Sequence, residues 1–166
     1  REEIESIAIG FLHSYANKEH EARTAELLAK LRPDISLSLS SEVCPEVREY
    51  ERLSTTCANA YVRPLMARYL AALDQEFRDM GVSCPLLLMM SSGGLTTLEI
   101  GLKYPIRLID SGPAGGAILA GQIASACGAE GAISFDMGGT TAKICLIDGG
   151  TAQTSRGFEV ARAYRH

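Results

Sequence analysis

The chain of 166 residues is 46% hydrophobic and 22% charged, a composition typical of globular proteins that bury a core in one domain or in parts of two. Its formal net charge is -4 and its basic residues are scattered, which argues against a nucleic-acid partner. The sequence has no run of roughly 20 apolar residues that would span a bilayer and no signal-like start, so we expect a cytoplasmic protein.

The first segments have the pattern of a βαβ unit. Residues 4–15 are rich in Ile, Leu and Phe and predict a buried strand. Asn17 then offers a cap for a helix over residues 18–31. The alternating apolar residues of segment 35–41 predict a second, half-exposed strand.

A long helix is predicted next, because apolar residues recur at steps of three and four over residues 47–77. Pro64 lies inside this pattern and is predicted to kink or divide the helix, since proline has no backbone N–H to donate. The charged cluster at 48–52 fits a charged, solvated helix face better than an active site. Asn59 and Arg63 lie one turn apart and fit a simple polar face better than a substrate cleft.

The middle of the chain predicts short elements around a glycine turn. Gly81 ends the long helix, and the apolar run 85–90 predicts a buried strand. Residues 91–94 form a turn at the carboxyl end of this strand, where open α/β sheets tend to bind ligands. A short helix over 96–103 and a strand over 106–109 are predicted to follow.

A helix of small residues is predicted over residues 112–126, with Ser111 as its cap and Pro113 in its first turn. Small residues recur every four positions, at Gly112, Gly116, Ala120 and Ala124, and a parallel row comprises Ala117, Gly121 and Ser125. Interior glycines cost helix propensity, so this face is predicted to pack closely against another backbone segment.

The last segments predict an antiparallel hairpin or meander. Its strands are predicted over residues 131–136, 141–147 and 151–155, joined by turns at Gly138-Gly139 and at 148–150. Both turns are predicted to use the positive φ angles that glycine accepts.

The first of these turns has the chemistry of a phosphate-binding loop. A strand delivers a carboxylate, a glycine pair exposes backbone N–H groups, and hydroxyl groups follow at once. Such a turn suits the phosphates of ATP with Mg²⁺, which keeps several waters and is bound by the acid through water. The candidate residues are Asp136 for the metal and for catalysis, and Gly138, Gly139, Thr140, Thr141 and Lys143 for the nucleotide. The bland alternative is an ordinary hairpin turn and an exposed strand lysine.

The order of strand, acid, glycines, threonines and strand resembles the phosphate hairpins of actin-like ATPases, which also place a helix of small residues just before the hairpin. Further motifs are LHSYAN (12–17), REYERLSTTCANAYVRPLMARYL (48–70), SSGGL (91–95), SGPAGGA (111–117), FDMGGTTAK (135–143) and GFEVARAYRH (157–166). Together they resemble the hydantoinase/oxoprolinase family, which includes hydantoin utilisation protein A, N-methylhydantoinase, 5-oxoprolinase and ketone carboxylase subunits.

The resemblance implies an α/β, actin-like (ribonuclease-H-like) ATPase fold that is incomplete here. Residues 1–45 would end the N-terminal lobe, and residues 46–166 would begin the ATP-binding domain with its phosphate hairpin near the C-terminus. It implies ATP-dependent opening of a cyclic amide such as a hydantoin or 5-oxoproline. A ketone carboxylase subunit is the alternative within the family, and a nucleotide-switched binding module is the alternative outside it. The implied partners are a subunit of the hydantoinase B type and further copies in an oligomer.

Two departures from the family pattern concern Ser41, where relatives commonly have His, and Ser92, where they commonly have Asn. Relatives also carry a second Asp-x-Gly-Gly-Thr motif near the amino terminus, which would clamp the phosphates from the opposite lobe. The chain starts at Arg1 and stops after a strand-like segment, so we expect a fragment that lacks this first motif and does not hydrolyse ATP alone.

The remaining candidates are weaker. Ser92, Gly93 and Gly94 are candidates for a substrate cleft, because a buried strand is predicted to end at their turn. His13 suits the core or the rim of the first strand better than a catalytic role. The five cysteines are widely spaced without a Cys-x-x-Cys pair, which favours reduced and mostly buried thiols over a disulfide framework or a zinc site.

Overall fold

The computed structural model describes residues 4–139 and 141–154, and these divide into two compact units. The first unit comprises the chain up to Leu88 together with Leu95–Ile109. The second comprises Met89–Gly94 and the chain from Asp110 onward. Predictions that fall on Thr140 and on residues 155–166, including the GFEVARAYRH motif, lie outside the described residues.

Helices and short strands alternate through the first unit, and one helix precedes a sheet in the second. The helices are α1 (Glu19–Leu31), α2 (Ser40–Val43), α3 (Glu49–Asp79), α4 (Leu98–Lys103) and α5 (Ser111–Ala126). The strands are β1 (Ser6–Ile9), β2 (Ser36–Leu39), β3 (Leu87–Met89), β4 (Leu95–Thr97), β5 (Gly131–Met137), β6 (Ala142–Asp148) and β7 (Thr151–Ala152). None of the helices in the described part of the chain has both the length and the apolar character that a bilayer crossing needs.

The predicted βαβ unit is confirmed. Strands β1 and β2 are parallel, in register from Ser6 opposite Ser36 to Ile9 opposite Leu39, and α1 connects them. The first strand is much shorter than predicted, because the chain turns after Gly10 and His13 has a φ of 56°. His13 is exposed in this turn and is not part of the core. Lys18 and not Asn17 is at the N-cap of α1, but the Oδ1 of Asn17 accepts the backbone N–H of Glu19, the first residue of the helix, at 2.9 Å.

Helix α3 is continuous over 31 residues, so the prediction that Pro64 divides it is wrong. The lost hydrogen bond is one of many along the helix, and packing of α3 on both parallel strands holds it together. Its end is as predicted. Gly81 has a φ of 82°, and its N–H donates to the carbonyl of Arg78 at 2.9 Å, a left-handed termination that glycine allows without strain.

In the charged cluster at the start of α3, Arg48 and Glu51 are exposed as predicted, but Arg52 is fully buried. Its Nη1 donates to the Glu46 carbonyl at 2.6 Å, and its Nη2 donates to the Phe11 carbonyl at 3.2 Å. Its Nε donates to the Ser40 hydroxyl at 3.3 Å. The guanidinium therefore connects the loop after β1, the residue that follows β2 and the segment that leads into α3.

A buried carboxylate completes this polar cluster. Glu21 of α1 accepts the Ser40 hydroxyl at 2.6 Å and the backbone N–H groups of Ser41 at 2.8 Å and Phe11 at 3.0 Å. Burial alone raises the pKa of Glu21, but the hydrogen bonds from Ser40 and Ser41 outweigh it and hold the pKa below its ordinary value. A buried charge is tolerated only with such partners, so the cluster ties three elements to one arrangement.

Asn59 and Arg63 are also structural. The Asn59 amide is fully buried, donates to the Ser38 hydroxyl at 3.0 Å and accepts the backbone N–H of Ile106 at 3.2 Å. Arg63 donates from Nη1 to the Leu37 carbonyl. Desolvation by burial lowers the pKa of Arg63. Asn59 and Arg63 thus bind β2 to α3, and the prediction of a simple polar face is wrong for Asn59, which is buried among partners from other elements.

Two short elements differ from their predictions. The run 85–90 forms only the short strand β3, which is partly exposed. The strand predicted over 106–109 is instead a 3-10 helix, Pro105–Leu108. Pro105 has the φ that a first helical turn requires, and a short apolar run has no periodicity that separates the two states.

The second unit packs α5 against an antiparallel sheet in the order β5-β6-β7, which confirms the predicted meander. Strand β5 pairs with β6 from Gly131 opposite Asp148 to Met137 opposite Ala142. The β6–β7 turn uses Gly149 and Gly150 at φ values of 53° and 75°, as glycine turns allow. The turn at Gly138-Gly139 has no positive φ, so that part of its prediction is wrong.

The helix of small residues is confirmed as α5, but its cap is not Ser111. The residue before the helix is Asp110, which has a left-handed backbone and makes no side-chain cap. The close approach occurs at Gly121, where a Cβ would lie 2.6 Å from the Gly150 carbonyl oxygen. A Cβ on Gly112 or Gly116 would meet nothing within 4 Å among the described residues. These two glycines therefore make no close backbone contact with the described part of the chain.

Gly121→Ala is expected to destabilise the protein by about 1 to 3 kcal/mol, because the added methyl would clash with the backbone of the Gly149-Gly150 turn. Gly116→Ala is the matched control and should stabilise by about 0.5 to 1 kcal/mol through helix propensity. Urea unfolding of the two variants measures the difference. Equal effects at both positions would contradict this packing.

The thiols are more exposed than predicted. Cys57, Cys84 and Cys127 are exposed, whereas Cys44 and Cys145 are partly buried. Burial raises the pKa of the Cys44 thiol, and the nearby Glu46 carboxylate adds to the rise. Cys57 and Cys127 are therefore not core fillers, because each lies on an outward position of its segment.

Candidate site at the phosphate hairpin

The carboxylate and the lysine of the predicted phosphate motif face each other across the β5–β6 hairpin. Asp136 lies one residue before the end of β5, directly opposite Lys143 of β6. Residues directly opposite in an antiparallel pair point to the same face of the sheet. Asp136 is exposed, and its carboxylate makes no hydrogen bond or ion pair with the described residues.

The turn between these strands offers a backbone donor. The Gly138 N–H donates to the Thr141 carbonyl at 3.0 Å and closes the turn. Among the described residues, the Gly139 N–H donates to no backbone or side-chain oxygen. Gly138, Gly139 and Thr141 are exposed, and Thr140 lies outside the described residues. The Gly139 amide is therefore a backbone donor without a partner among the described residues.

The lysine of the motif has a partner that the sequence analysis missed. Lys143 Nζ forms an ion pair with Asp110 Oδ1, and both side chains are about one-third exposed at 35% and 34%. Asp110 directly precedes α5, so this pair brings the N-terminus of a 16-residue helix to the hairpin. Helix N-termini favour negative charge, as a phosphate carries. The only sequence signal for Asp110 is its type, since Asp is a common residue at helix starts.

The glycine turn after β3 packs against the same helix. Gly93 has a φ of 88°, and its N–H donates to the Met90 carbonyl at 2.9 Å. A Cβ on Gly93 would lie 3.0 Å from Cδ1 of Ile118 in α5, so a side chain has little room there. Ser92 is exposed, and Gly93 and Gly94 are partly buried. The predicted glycine turns at residues 91–94 and 138–139 thus both belong to the second unit. The first precedes α5 in the chain, and the second follows it.

Residues 52–165 match the sequence profile of the hydantoinase/oxoprolinase family, which covers most of the chain. The chain belongs to this family. The match includes the phosphate hairpin, α5 and nearly all of α3. It confirms the resemblance drawn from the motifs.

Relatives of this chain include proteins named caprolactamase subunit alpha and 5-oxoprolinase. The chain is 34% identical to the caprolactamase subunit alpha of Pseudomonas jessenii over 161 residues, which are 97% of this chain and 23% of the relative. It is 35% identical to the 5-oxoprolinase of Saccharomyces cerevisiae over 145 residues, which are 85% of this chain and 11% of the relative.

A solved structure shares the fold. The nucleotide-free structure of acetone carboxylase, described as the enzyme of ATP-dependent acetone carboxylation, matches with a TM-score of 0.75 and 30% identity. The match covers 88% of this chain and 21% of that chain. The chain has a mixed α/β fold similar to acetone carboxylase, and it spans about a quarter or less of the length of these relatives.

The donor groups at the hairpin fit a nucleotide with Mg²⁺ better than a metal ion held by protein alone. Among residues 4–139 and 141–154, no group of three or more His, Cys, Asp or Glu side chains is arranged to hold a metal. Magnesium ions in phosphate sites are typically bound by one or two carboxylates, by waters and by the phosphates themselves. At this hairpin, Asp136 is an exposed carboxylate of the kind that such sites use.

Proposed function

We propose that this chain is part of an ATP-dependent hydrolase that opens a cyclic amide such as a hydantoin, a lactam or 5-oxoproline. The observation that carries the proposal is the convergence of Asp136, Lys143, the Gly139 amide and the N-terminus of α5 at one end of the hairpin. Relatives named caprolactamase and 5-oxoprolinase support the cyclic amide as the substrate class.

Each group at the hairpin has a separate task in this proposal. Asp136 holds hydrated Mg²⁺ through a water, and Lys143 and the Gly139 amide neutralise phosphate oxygens. Thr140 and Thr141 add hydroxyl donors beside the glycines. ATP would supply a phosphoryl group to the amide oxygen and release ADP, which makes the otherwise inert carbonyl carbon open to attack by water. The ring C–N bond would then break as its nitrogen takes up a proton, and a second water would release phosphate from the resulting acyl phosphate to leave the ring-opened acid. In this proposal the hairpin residues orient the phosphates and neutralise their charge, and none of them forms a covalent bond to the substrate. Catalysis of phosphoryl transfer generally depends on such positioning and charge stabilisation.

The fold and the assembly around this site are part of the proposal. We infer an actin-like, ribonuclease-H-like ATPase fold, with residues 1–45 in an N-terminal lobe and residues 46–166 in the ATP-binding domain. The turn at Ser92, Gly93 and Gly94 would line the substrate cleft. A second phosphate hairpin from the opposite lobe would close the site, so these residues alone would not turn over ATP. Relatives named as subunits support a partner chain, for which a hydantoinase B type is proposed.

A ketone carboxylase subunit is the second candidate, and the 30% identity to acetone carboxylase at a TM-score of 0.75 favours it. The same hairpin groups would then serve ATP-dependent activation of a ketone or of bicarbonate. The two candidates differ in the acceptor and not in the nucleotide site.

The test is product analysis with the full-length protein and its partner subunit. Each of caprolactam, hydantoin, 5-oxoproline, and acetone with bicarbonate is incubated with Mg-ATP, and nucleotide release and organic products are measured. We expect ATP turnover that depends on a cyclic amide and yields the ring-opened acid. Turnover that depends on ketone plus bicarbonate would replace the hydrolase by the carboxylase, and turnover without any small molecule would refute both.

A further inference from the structure

The ion pair of Lys143 is unexpected for a phosphate-binding lysine. Lys143 has a carboxylate directly opposite it on β5, yet its ammonium group pairs with Asp110 before α5. No ion pair joins Lys143 to Asp136 within the described residues. The lysine proposed to bind a phosphate is therefore already paired with an anion of the chain itself.

Asp110 holds this position with an unusual backbone. Its φ is 61°, and His13 is the other described non-glycine residue with a positive φ. Left-handed backbone is unfavourable for side chains other than glycine, although Asp and Asn tolerate it best. The Asp110 carboxylate makes no cap bond to α5, so its interaction is with Lys143. The surrounding structure thus aims a carboxylate at the lysine.

The ion pair between Lys143 and Asp110 is also accessible to a competing anion. Both side chains are about one-third exposed, and ion pairs with solvent access are weak because water competes with each partner. A phosphate group carries more negative charge and more acceptor oxygens than one carboxylate, so it forms the stronger charge-assisted bonds to an ammonium group. An arriving phosphate is therefore expected to displace Asp110 from Lys143.

We propose that Asp110 is the resting counter-ion of Lys143 and competes with a nucleotide phosphate for it. Asp110 is a positioning residue in this proposal: it holds the lysine beside the hairpin until a nucleotide arrives and lowers the affinity for that nucleotide. The proposal rests on the proposed function, because it requires that Lys143 binds a nucleotide phosphate.

The experiment measures binding of Mg²⁺ with a non-hydrolysable ATP analogue, adenylyl imidodiphosphate, to the full-length protein by calorimetry. Asp110→Asn is expected to tighten binding by about two- to fivefold, the range of an exposed ion pair. Lys143→Met is expected to weaken it. The nucleotide affinity of Asp110→Glu, which keeps the negative charge, should lie closer to the wild-type affinity than that of Asp110→Asn does. Thermal unfolding of each variant confirms that the fold persists.

The double variant separates competition from a general effect of charge. In the Lys143→Met background, Asp110→Asn should leave the affinity unchanged, because the lysine for which both anions compete is absent. Equal tightening in both backgrounds, or no tightening in the wild-type background, would overturn the inference while the proposed function stands. A wild-type protein that binds no Mg-nucleotide would overturn the proposed function and this inference together.

Discussion

Asp136→Asn is expected to lower ATP turnover by the full-length protein by about 10² to 10³-fold, the typical cost of removing one charge-stabilising group from an active site. Asparagine keeps the size of the side chain but loses the negative charge that a hydrated Mg²⁺ requires. The fold should persist, because the Asp136 side chain is exposed and makes no bond to a described residue. Steady-state ADP release, compared with thermal unfolding of the same variant, measures both effects.

Asp148→Asn is the matched control for this prediction. Asp148 is an exposed aspartate at the far end of the same hairpin, opposite Gly131. The change has the same chemistry and removes the same charge, but it lies away from the phosphate turn. Turnover should stay within about twofold of the wild type, since surface changes away from a site have small effects. Wild-type turnover in Asp136→Asn, or equal losses in both variants, would remove Asp136 from the site.

Arg52→Ala is expected to lower the free energy of unfolding by about 3 to 5 kcal/mol, the usual cost of removing one partner from a buried charged network. The guanidinium is fully buried, and its loss takes a hydrogen-bond donor away from polar groups of three segments. The acceptors left behind are the carbonyls of Glu46, Val47 and Phe11, the Ser40 hydroxyl and the Glu49 carboxylate. Urea unfolding of the full-length protein measures the change.

Arg48→Ala is the control, because Arg48 belongs to the same cluster but is 80% exposed and pairs with Glu51 at 3.3 Å. It should cost about 0 to 1 kcal/mol, as exposed ion pairs do. Arg52→Lys is expected to recover only part of the loss, because an ammonium group cannot match the fork of five guanidinium donors. Comparable losses in Arg52→Ala and Arg48→Ala would show that burial of Arg52 contributes little.

The sequence alone was sufficient where the signal is local. The β5–β6 hairpin, the extent of α5 and the end of α3 at Gly81 were all predicted, because each depends on alternation, helical spacing or glycine conformation within a few residues. The phosphate-binding role of the motif from Phe135 to Thr141 was likewise drawn from local sequence, and it stays a prediction. These features need no knowledge of distant contacts.

Only the tertiary structure determined which charged and polar side chains are buried and which partners they bind. Arg52 and Asn59 lie on a helix whose pattern is that of a solvated face, yet both are buried, since their partners come from segments far away in the chain. Lys143 and Asp110 are 33 residues apart, and only the packing of α5 on the sheet brings them together. Sequence spacing determines which residues share a face of one element. Which charges meet across elements depends on how those elements pack, because a polar side chain is buried only where another segment supplies its partner.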